Sequence, residues 1–231
     1  MDQAMISDDA IEHLPPPVRR SLRRSGVVGR PAPDRVDLRQ RGELLLRDRW
    51  LPFTASQGYT LDPPSFRWQA VLKLAGLPLA RAEDALADGR GSMTVRVLGR
   101  FTVVDEIGPE LDQGSLMRWL NETMWFPQVW ASGAISWEPI DEFSANGAVR
   151  VGDLTADADF HFDPDGRLVD FRGDRYRIDA FGTELAPWAT PITDHAHFDG
   201  IEVPSRGTAV WAPGQDAQEY VRVQVTDVRY T

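Results

Sequence analysis

The chain has no cysteine. Disulfides, thiolate metal sites and a cysteine nucleophile are therefore excluded. Lys73 is the only lysine among 25 basic residues, so arginine supplies the rest. A GC-rich genome accounts for that bias without any arginine-specific role. Positive charge is short overall: 35 acidic residues bring the formal net charge to −10. An acidic chain repels phosphate backbones and anionic lipid surfaces, so nucleic acid and acidic membranes drop out as partners. No apolar run approaches the length of a membrane span. The first twenty residues, MDQAMISDDAIEHLPPPVRR, lack the apolar stretch of a signal peptide, and the expected location is cytoplasmic. Phosphate loops are missing too: GRGSM and GVVGR match neither G-x-G-x-x-G nor G-x-x-x-x-G-K. Nor is there a G-x-S-x-G elbow, an S-x-x-K or an H-E-x-x-H. No cofactor is expected.

What remains suits a folded, β-rich protein. The 231 residues, 42% of them hydrophobic, suffice to bury a sizeable core. Ser7 to His13 predicts a short helix with Ser7 or Asp8 as N-cap. Pro15, Pro16 and Pro17 stop it, and Pro17 starts a second helix through VRRSLRR to Gly26. Arg19, Arg20, Arg23 and Arg24 make its solvated face. Beyond Gly29 come short alternating runs: VDLRQRGELLL, FRWQAVLKL, MTVRVLGRFTVV, ISWEPI, GAVRVG, ADFHFD, LVDFRG, RYRIDA, GTAVWA and YVRVQVTDV. Such runs, punctuated by turn residues, indicate one antiparallel sheet, curled or closed into a barrel. Phe162 to Arg167 and Asp88 to Gly91 read as hairpin turns. Two interruptions have helical spacing: Leu79 to Ala87, and Asp112 to Trp125 ahead of Pro127. Nothing marks a domain boundary. The expectation is a single domain over 1–231, with a helical lead-in over 1–30. A β half-barrel then fills 31–231, with an inserted helix at about 112–126.

Candidate metal ligands are few. Strand parity in Asp157-Ala-Asp159-Phe-His161-Phe-Asp163 puts the four polar residues on one face. Such a row could hold a hard cation, but a solvated sheet face makes the same pattern. His195 and His197 in DHAHFDG could act as ligands beside Asp194 and Asp199. No third ligand stands at a diagnostic spacing, and no metal is expected.

Eight tryptophans are many for this length. Most belong to a core, because each buries a large area. Apolar ligand cavities are walled by the same residues with a few polar groups among them. Trp68, Trp125, Trp137, Trp188, Trp211 and Phe126 are the candidate walls. On the inserted helix, Arg118, Glu122 and Trp125 fall on one stripe bordered by Asn121. The simpler reading is an exposed Arg118–Glu122 pair of little energetic weight. The alternative turns the stripe inward. Glu122 then becomes a carboxyl among aromatics, fit for general acid–base work. Asn121, Tyr59 and Arg206 are its candidate assistants.

The order of several segments resembles a known family. They are LPPPVRRSLRRSGVVGRP (14–31), W-x-P-F-T-A-x-Q (50–57), PELDQGSLMRWLNETMWFP (109–127), ISWEPID (135–141), FHFDPDGRLVDF (160–171) and GIEVPSRGTAVW (200–211). On these the chain resembles the uncharacterised bacterial DUF6544 (DUF6920-like) proteins over almost its whole length. The family implies no activity. The C-terminal half resembles LolA/LolB-type half-barrels, which implies a curved antiparallel sheet and helices around an apolar cavity. Asp194-His195-Ala196-His197 departs from the family pattern before GIEVP.

The fold expected is mainly β: a curled antiparallel sheet or half-barrel, a helix on its concave face and short N-terminal helices. The function expected is binding of a hydrophobic small molecule (lipid, isoprenoid or polyketide-like) in an aromatic-lined cavity, with Arg118 as its charged member. The alternative is a cofactor-independent cyclase or isomerase of natural-product biosynthesis. A homodimer is left open.

Overall fold

The computed structural model describes residues 5–179 and 182–231. Helix α1 (Asp8–Ile11) is capped by Ser7, whose Oγ accepts from the Ala10 N–H at 3.2 Å. Helix α2 (Pro16–Ser25) ends at Gly26, in the left-handed region. The α2 arginines are not a bare solvated face. Arg19 and Arg23 pair with Glu12, Arg23 also with Asp8, and Arg24 with Glu202. Arg20 donates to the Glu142 carbonyl.

Six strands follow: β1 (Arg35–Leu46), β2 (Arg49–Thr60), β3 (Ser65–Leu74), β4 (Leu77–Ala87), β5 (Arg90–Val97) and β6 (Phe101–Glu106). Helix α3 (Pro109–Glu122) and two 3₁₀ turns, Thr123–Trp125 and Pro127–Ala131, interrupt them. Eight more strands complete the chain: β7 (Ile135–Pro139), β8 (Ser144–Val151), β9 (Leu154–Phe162), β10 (Leu168–Asp179), β11 (Gly182–Ala189), β12 (Ile192–Phe198), β13 (Ile201–Trp211) and β14 (Gln218–Tyr230). All pair antiparallel in one sheet ordered β6-β5-β4-β3-β2-β1-β14-β13-β11-β10-β9-β8-β7, with β12 on β13. Among the described residues no helix is long and apolar enough to cross a membrane.

The order explains the curl. The outermost strands, β6 and β7, are neighbours in sequence, and α3 joins them. A helix bound to both edges must lie across the concave face. It packs against β4 and β5 on one side and β8, β9 and β10 on the other. Two glycines let it sit close. A Cβ at Gly91 of β5 would meet the Leu111 carbonyl oxygen at 2.6 Å, and one at Gly173 of β10 would meet the Met117 Cε at 3.2 Å. Both ends are pinned. Asp112 accepts from the Gly91 N–H at 2.7 Å, and Asn121 donates to Thr190 Oγ1 at 2.6 Å. The half-barrel and its covering helix are as the sequence indicates.

Three local readings need correction. Residues 79–87 form β4, not a helix. LARAEDALA favours a helix residue by residue, but pairing with β3 and β5 overrides that weak preference. The inserted helix ends at Glu122, not near 126. The chain tightens into a 3₁₀ turn, and Phe126, ahead of Pro127, leaves the helical region (φ −141°, ψ 63°). MTVRVLGRFTVV is two strands, turning at Leu98 and Gly99, which both have positive φ. RYRIDA continues LVDFRG as β10; its last residue, Ala180, lies outside the described residues, as do 1–4 of the lead-in. Parity in β9 holds: Ala158, Phe160 and Phe162 are buried, while the Asp157 row faces out and Asp159 accepts from Asn146.

Candidate functional site

Directly paired residues of an antiparallel ladder share a face. Following those pairs across the sheet gives its inward rows. One row runs Gln57, Trp68, Asp84 and Met93 over β2 to β5. The next toward the floor runs Gln40, Ala55, Ala70, Ala82 and Val95. Three alanines in one row leave the β2–β4 wall low. Opposite α3, the floor is Leu44, Val221, Val223 and Ala209, from β1, β14 and β13. The helix rests on the two arms of the sheet as a beam, and a cavity of about 670 Å³ lies between it and this floor. That volume falls within the range of small-molecule sites.

One wall carries a buried polar network. Arg118 of α3 lies between two carboxylates. Its Nε donates to Glu122 Oε1 at 2.9 Å and its Nη1 to Asp84 Oδ2 at 2.6 Å. Its Nη2 donates to Gln57 Oε1 at 3.3 Å. The guanidinium stacks over Phe66 and Trp68, about 5 Å from each ring. Glu122 Oε2 accepts from Gln57 Nε2 at 2.7 Å and from the Tyr59 hydroxyl at 3.1 Å. Trp68 Nε1 donates to Gln40. Glu122 and Asp84 are each only 5% exposed.

Burial governs the protonation of this network. It pushes the Glu122 carboxyl above the ordinary carboxylate range, against the opposing pull of Arg118, Gln57 and Tyr59. Burial also disfavours the Arg118 charge, but Glu122 and Asp84 more than reverse that, so the guanidinium holds its proton more firmly than usual. Burial and then the Glu122 charge push the Tyr59 hydroxyl well up, so it stays a donor. With every group ionised, two carboxylates face one guanidinium.

The opposite end of the cavity is aromatic and cationic. Arg175 lies over Trp188 at 4.9 Å, donates to the Gly114 carbonyl and reaches the Tyr220 hydroxyl at 3.3 Å. Trp188 Nε1 donates to that hydroxyl at 3.0 Å, and Trp211 stacks on the Tyr220 ring. The exposed Leu46 and Arg47, at the β1–β2 turn, and Gln218 place the mouth at this end.

The structure gathers Arg118, Glu122, Asn121, Trp68, Trp125, Trp188 and Trp211 around the cavity. The Arg118–Glu122 pair exists, but inward and buried rather than at the surface. Four other residues lie elsewhere. Tyr59 stands behind Glu122, against Phe66 and Phe126, and does not line the cavity. Phe126 is carried away by the turn after α3 and packs on Tyr59 and Trp119. Trp137 packs on Trp130 and Phe160 in the other arm. Arg206 contributes only its stretch of β13 to the wall. It pairs with Gln224, which pairs with the exposed Arg41, so its side chain stands on the outer face, 3.8 Å from Asp194. His195 and His197 lie on β12; His195 contacts the Leu168 carbonyl, and its burial lowers its pKa.

Sequence reasoning passed over Asp84, Gln57, Gln40, Arg175 and Tyr220. For three of them a signal was present. Gln40, Gln57 and Asp84 sit at inward-parity positions among apolar neighbours, where a polar residue needs a buried partner.

A curled antiparallel sheet, a helix laid across it and a closed-in apolar hollow define the class of protein. The model of DUF6544, a family of unknown function, matches residues 4–223, and the chain belongs to that family. Among solved structures it is similar to a DUF1329 family protein from Desulfovibrio piger ATCC 29098, at 10% identity over 94% of this chain and 93% of that one (TM-score 0.49). It is also similar to a LolA superfamily protein from Nitrosomonas europaea, at 10% identity over 93% of each chain (TM-score 0.48). A putative outer membrane lipoprotein-sorting protein domain from Vibrio parahaemolyticus aligns at 7% identity over 85% of each chain (TM-score 0.42). The curated proteins contain no match.

Proposed function

We propose that this protein binds a hydrophobic small molecule, of lipid, isoprenoid or polyketide-like kind, under α3. One observation carries the reading: a cavity of about 670 Å³ whose floor is aliphatic and whose ends are polar. A hollow of that size, left unfilled, forgoes dispersion contacts that a filled core would make. An apolar ligand restores them, and the few polar groups fix its orientation. Titration with N-phenyl-1-naphthylamine, a dye that brightens in apolar surroundings, tests this. Saturable binding of about one dye per chain is expected, and Val223→Trp, which fills the cavity from the floor, should abolish it in a protein that still melts cooperatively. Equal dye binding by the Val223→Trp variant would refute the reading.

One observation favours a second reading, a cofactor-independent cyclase or isomerase with Glu122 as its acid. Glu122 borders the cavity and holds its proton more firmly than an ordinary carboxyl. Against this, both of its oxygens already accept hydrogen bonds from Arg118, Gln57 and Tyr59. Such bonding suits a fixed structural carboxylate better than a proton shuttle.

A further inference from the structure

The mouth of the cavity lies on one edge of the sheet, and that edge is built unlike the rest of the surface. Three successive hairpins end there: β1–β2 at 46–49, β3–β4 at 74–77 and β5–β6 at 98–101. The spacing of paired strands sets neighbouring tips about 10 Å apart. Five of the twelve exposed large hydrophobics among the described residues stand on these three tips: Leu46, Leu74, Leu77, Leu98 and Phe101, from 46% to 72% exposed. Hairpin tips in water ordinarily carry polar turn residues. Leu98 also has φ 52°, a conformation that favours glycine or asparagine, so turn formation does not account for a leucine there. Clustered apolar side chains of this kind mark an interaction surface.

The same tips are basic. Arg47, Arg49, Lys73 and Arg100 stand on or beside them against one acid, Asp48. Among the described residues none of the four lies within ion-pairing distance of a carboxylate, whereas the exposed Arg35, Arg67, Arg222 and Arg229 are all paired. The net charge of −10 therefore hides a basic, apolar edge. It excludes an anionic lipid surface for the chain as a whole but not for this edge, and the acidic remainder turns the molecule tips-first toward such a surface.

We propose that this edge docks on a lipid bilayer with anionic headgroups. The leucines and Phe101 enter the interface, and the four cations meet the phosphates. The mouth then opens onto the bilayer, and an apolar ligand passes between membrane and cavity without crossing water. That passage rests on the binding reading; the docking does not.

Flotation of the full-length protein with phosphatidylcholine vesicles, with and without about one-third phosphatidylglycerol, tests this. Each basic residue near an anionic surface is worth about a factor of five, so the mixed vesicles should bind roughly 10- to 100-fold more tightly, and high salt should remove most of the gain. Lys73→Gln with Arg100→Gln should weaken binding roughly 10- to 30-fold. Leu77→Ser with Leu98→Asn should weaken it as well, in a protein no less stable, because asparagine suits the turn. None of these four residues lines the cavity, so dye binding in solution should not change. The chain has no cysteine, so Leu98→Cys and Ile140→Cys each carry a single environment-sensitive label. Ile140 is 50% exposed at the β7–β8 turn, on the opposite edge. Mixed vesicles should blue-shift the label at position 98 and not the one at 140. Equal binding to the two kinds of vesicle, unchanged binding by both double variants, or a shift at 140 alone would overturn the docking. So would no vesicle binding at low salt, which leaves a protein partner as the occupant of the tips. Vesicle binding as described by a protein that takes up no dye would uphold the docking and refute the cavity reading.

Discussion

The two arms of the sheet face the same helix and are filled differently. On the arm made by β7 to β11 the inward face is a continuous stack of rings. Trp130, Trp137, Phe160, Phe171 and Trp188 follow edge to face, with centroids 4.9 to 5.9 Å apart. On the arm made by β1 to β5 the inward rows set alanines, glutamines and an aspartate among Trp68, Met93 and Val95, and the space above them is hollow. Trp188 stands at the boundary, with Phe171 on one side and the cavity on the other. The solid arm holds α3 in place by packing. The hollow arm packs on it closely at Gly91, adds the Arg118 ion pairs, and keeps room beneath. Stability is thus concentrated in one arm, and the capacity to take a ligand in the other.

The comparison breaks most sharply in the solid arm. Trp130→Ala removes the ring on which Trp137, Phe160 and Phe162 all pack. A loss of about 3–5 kcal/mol is expected for such a truncation. For a chain of this size that lowers Tm by roughly 10 °C. Calorimetry checks it. At a temperature where the variant is folded, dye binding should be unchanged, because Trp130 does not line the cavity. A variant that melts like the wild type would show that the stack is not what holds this arm.

In the hollow arm the corresponding break is electrostatic. Arg118→Met leaves Asp84 and Glu122 buried with no counter-charge. Removing one partner of a buried pair costs about 3–5 kcal/mol, and the lower part of that range is expected here because Glu122 can take up a proton. Urea denaturation measures the loss. Replacing all three charges together, as Arg118→Met with Asp84→Asn and Glu122→Gln, should recover much of it. Failure to recover would mean that Arg118 acts mainly through its stacking on Phe66 and Trp68.

The difference between the arms also decided what could be read in the sequence. The solid arm announces itself: ADFHF alternates large apolar and polar residues, and its burial follows that alternation. The helix was legible from Leu116, Trp119 and Leu120. The hollow arm is quieter. In β4 the inward residues are Ala80, Ala82, Asp84 and Leu86, a pattern too small and too polar to read as a strand. In β2 an inward Gln57 and a mid-strand Pro52 blur the signal in the same way. A cavity is made by residues that do not fill space, so the strands that build one lose the hydrophobic periodicity that would reveal them. Glu122 was visible because it lies on the helix, and Asp84 was hidden because its strand was.

A smaller effect is expected where a large side chain already faces empty space. Leu44 lines the floor of the cavity and is only half-buried. Leu44→Ala removes apolar surface but opens no new void inside packed matter, so about 1 kcal/mol is expected, below the usual cost of such a change in a filled core. Urea titration beside Phe160→Ala makes the contrast direct. Equal losses in the two variants would erase the distinction between a solid and a hollow arm.

The smallest effect is a pH dependence, and its sign is fixed by Glu122. Burial raises the folded-state pKa of this carboxyl above its unfolded value. Between those two values the folded chain binds more protons than the unfolded one, so acidification stabilises the fold through this group. The contribution is complete once the pH reaches the unfolded value, near 4.5, and is lost as the pH rises through the folded one. Half-exposed carboxylates are lowered instead, Asp37 by Arg35 and Glu83 by Gln69 and then Arg67, and pull the opposite way. The total pH profile therefore hides the effect, and a difference profile reveals it. Wild type minus Glu122→Gln, measured by urea unfolding from pH 4.5 to 8, should show wild-type stability declining relative to the variant as pH rises. A difference that rises with pH would place Glu122 among the ordinary ion-paired carboxylates.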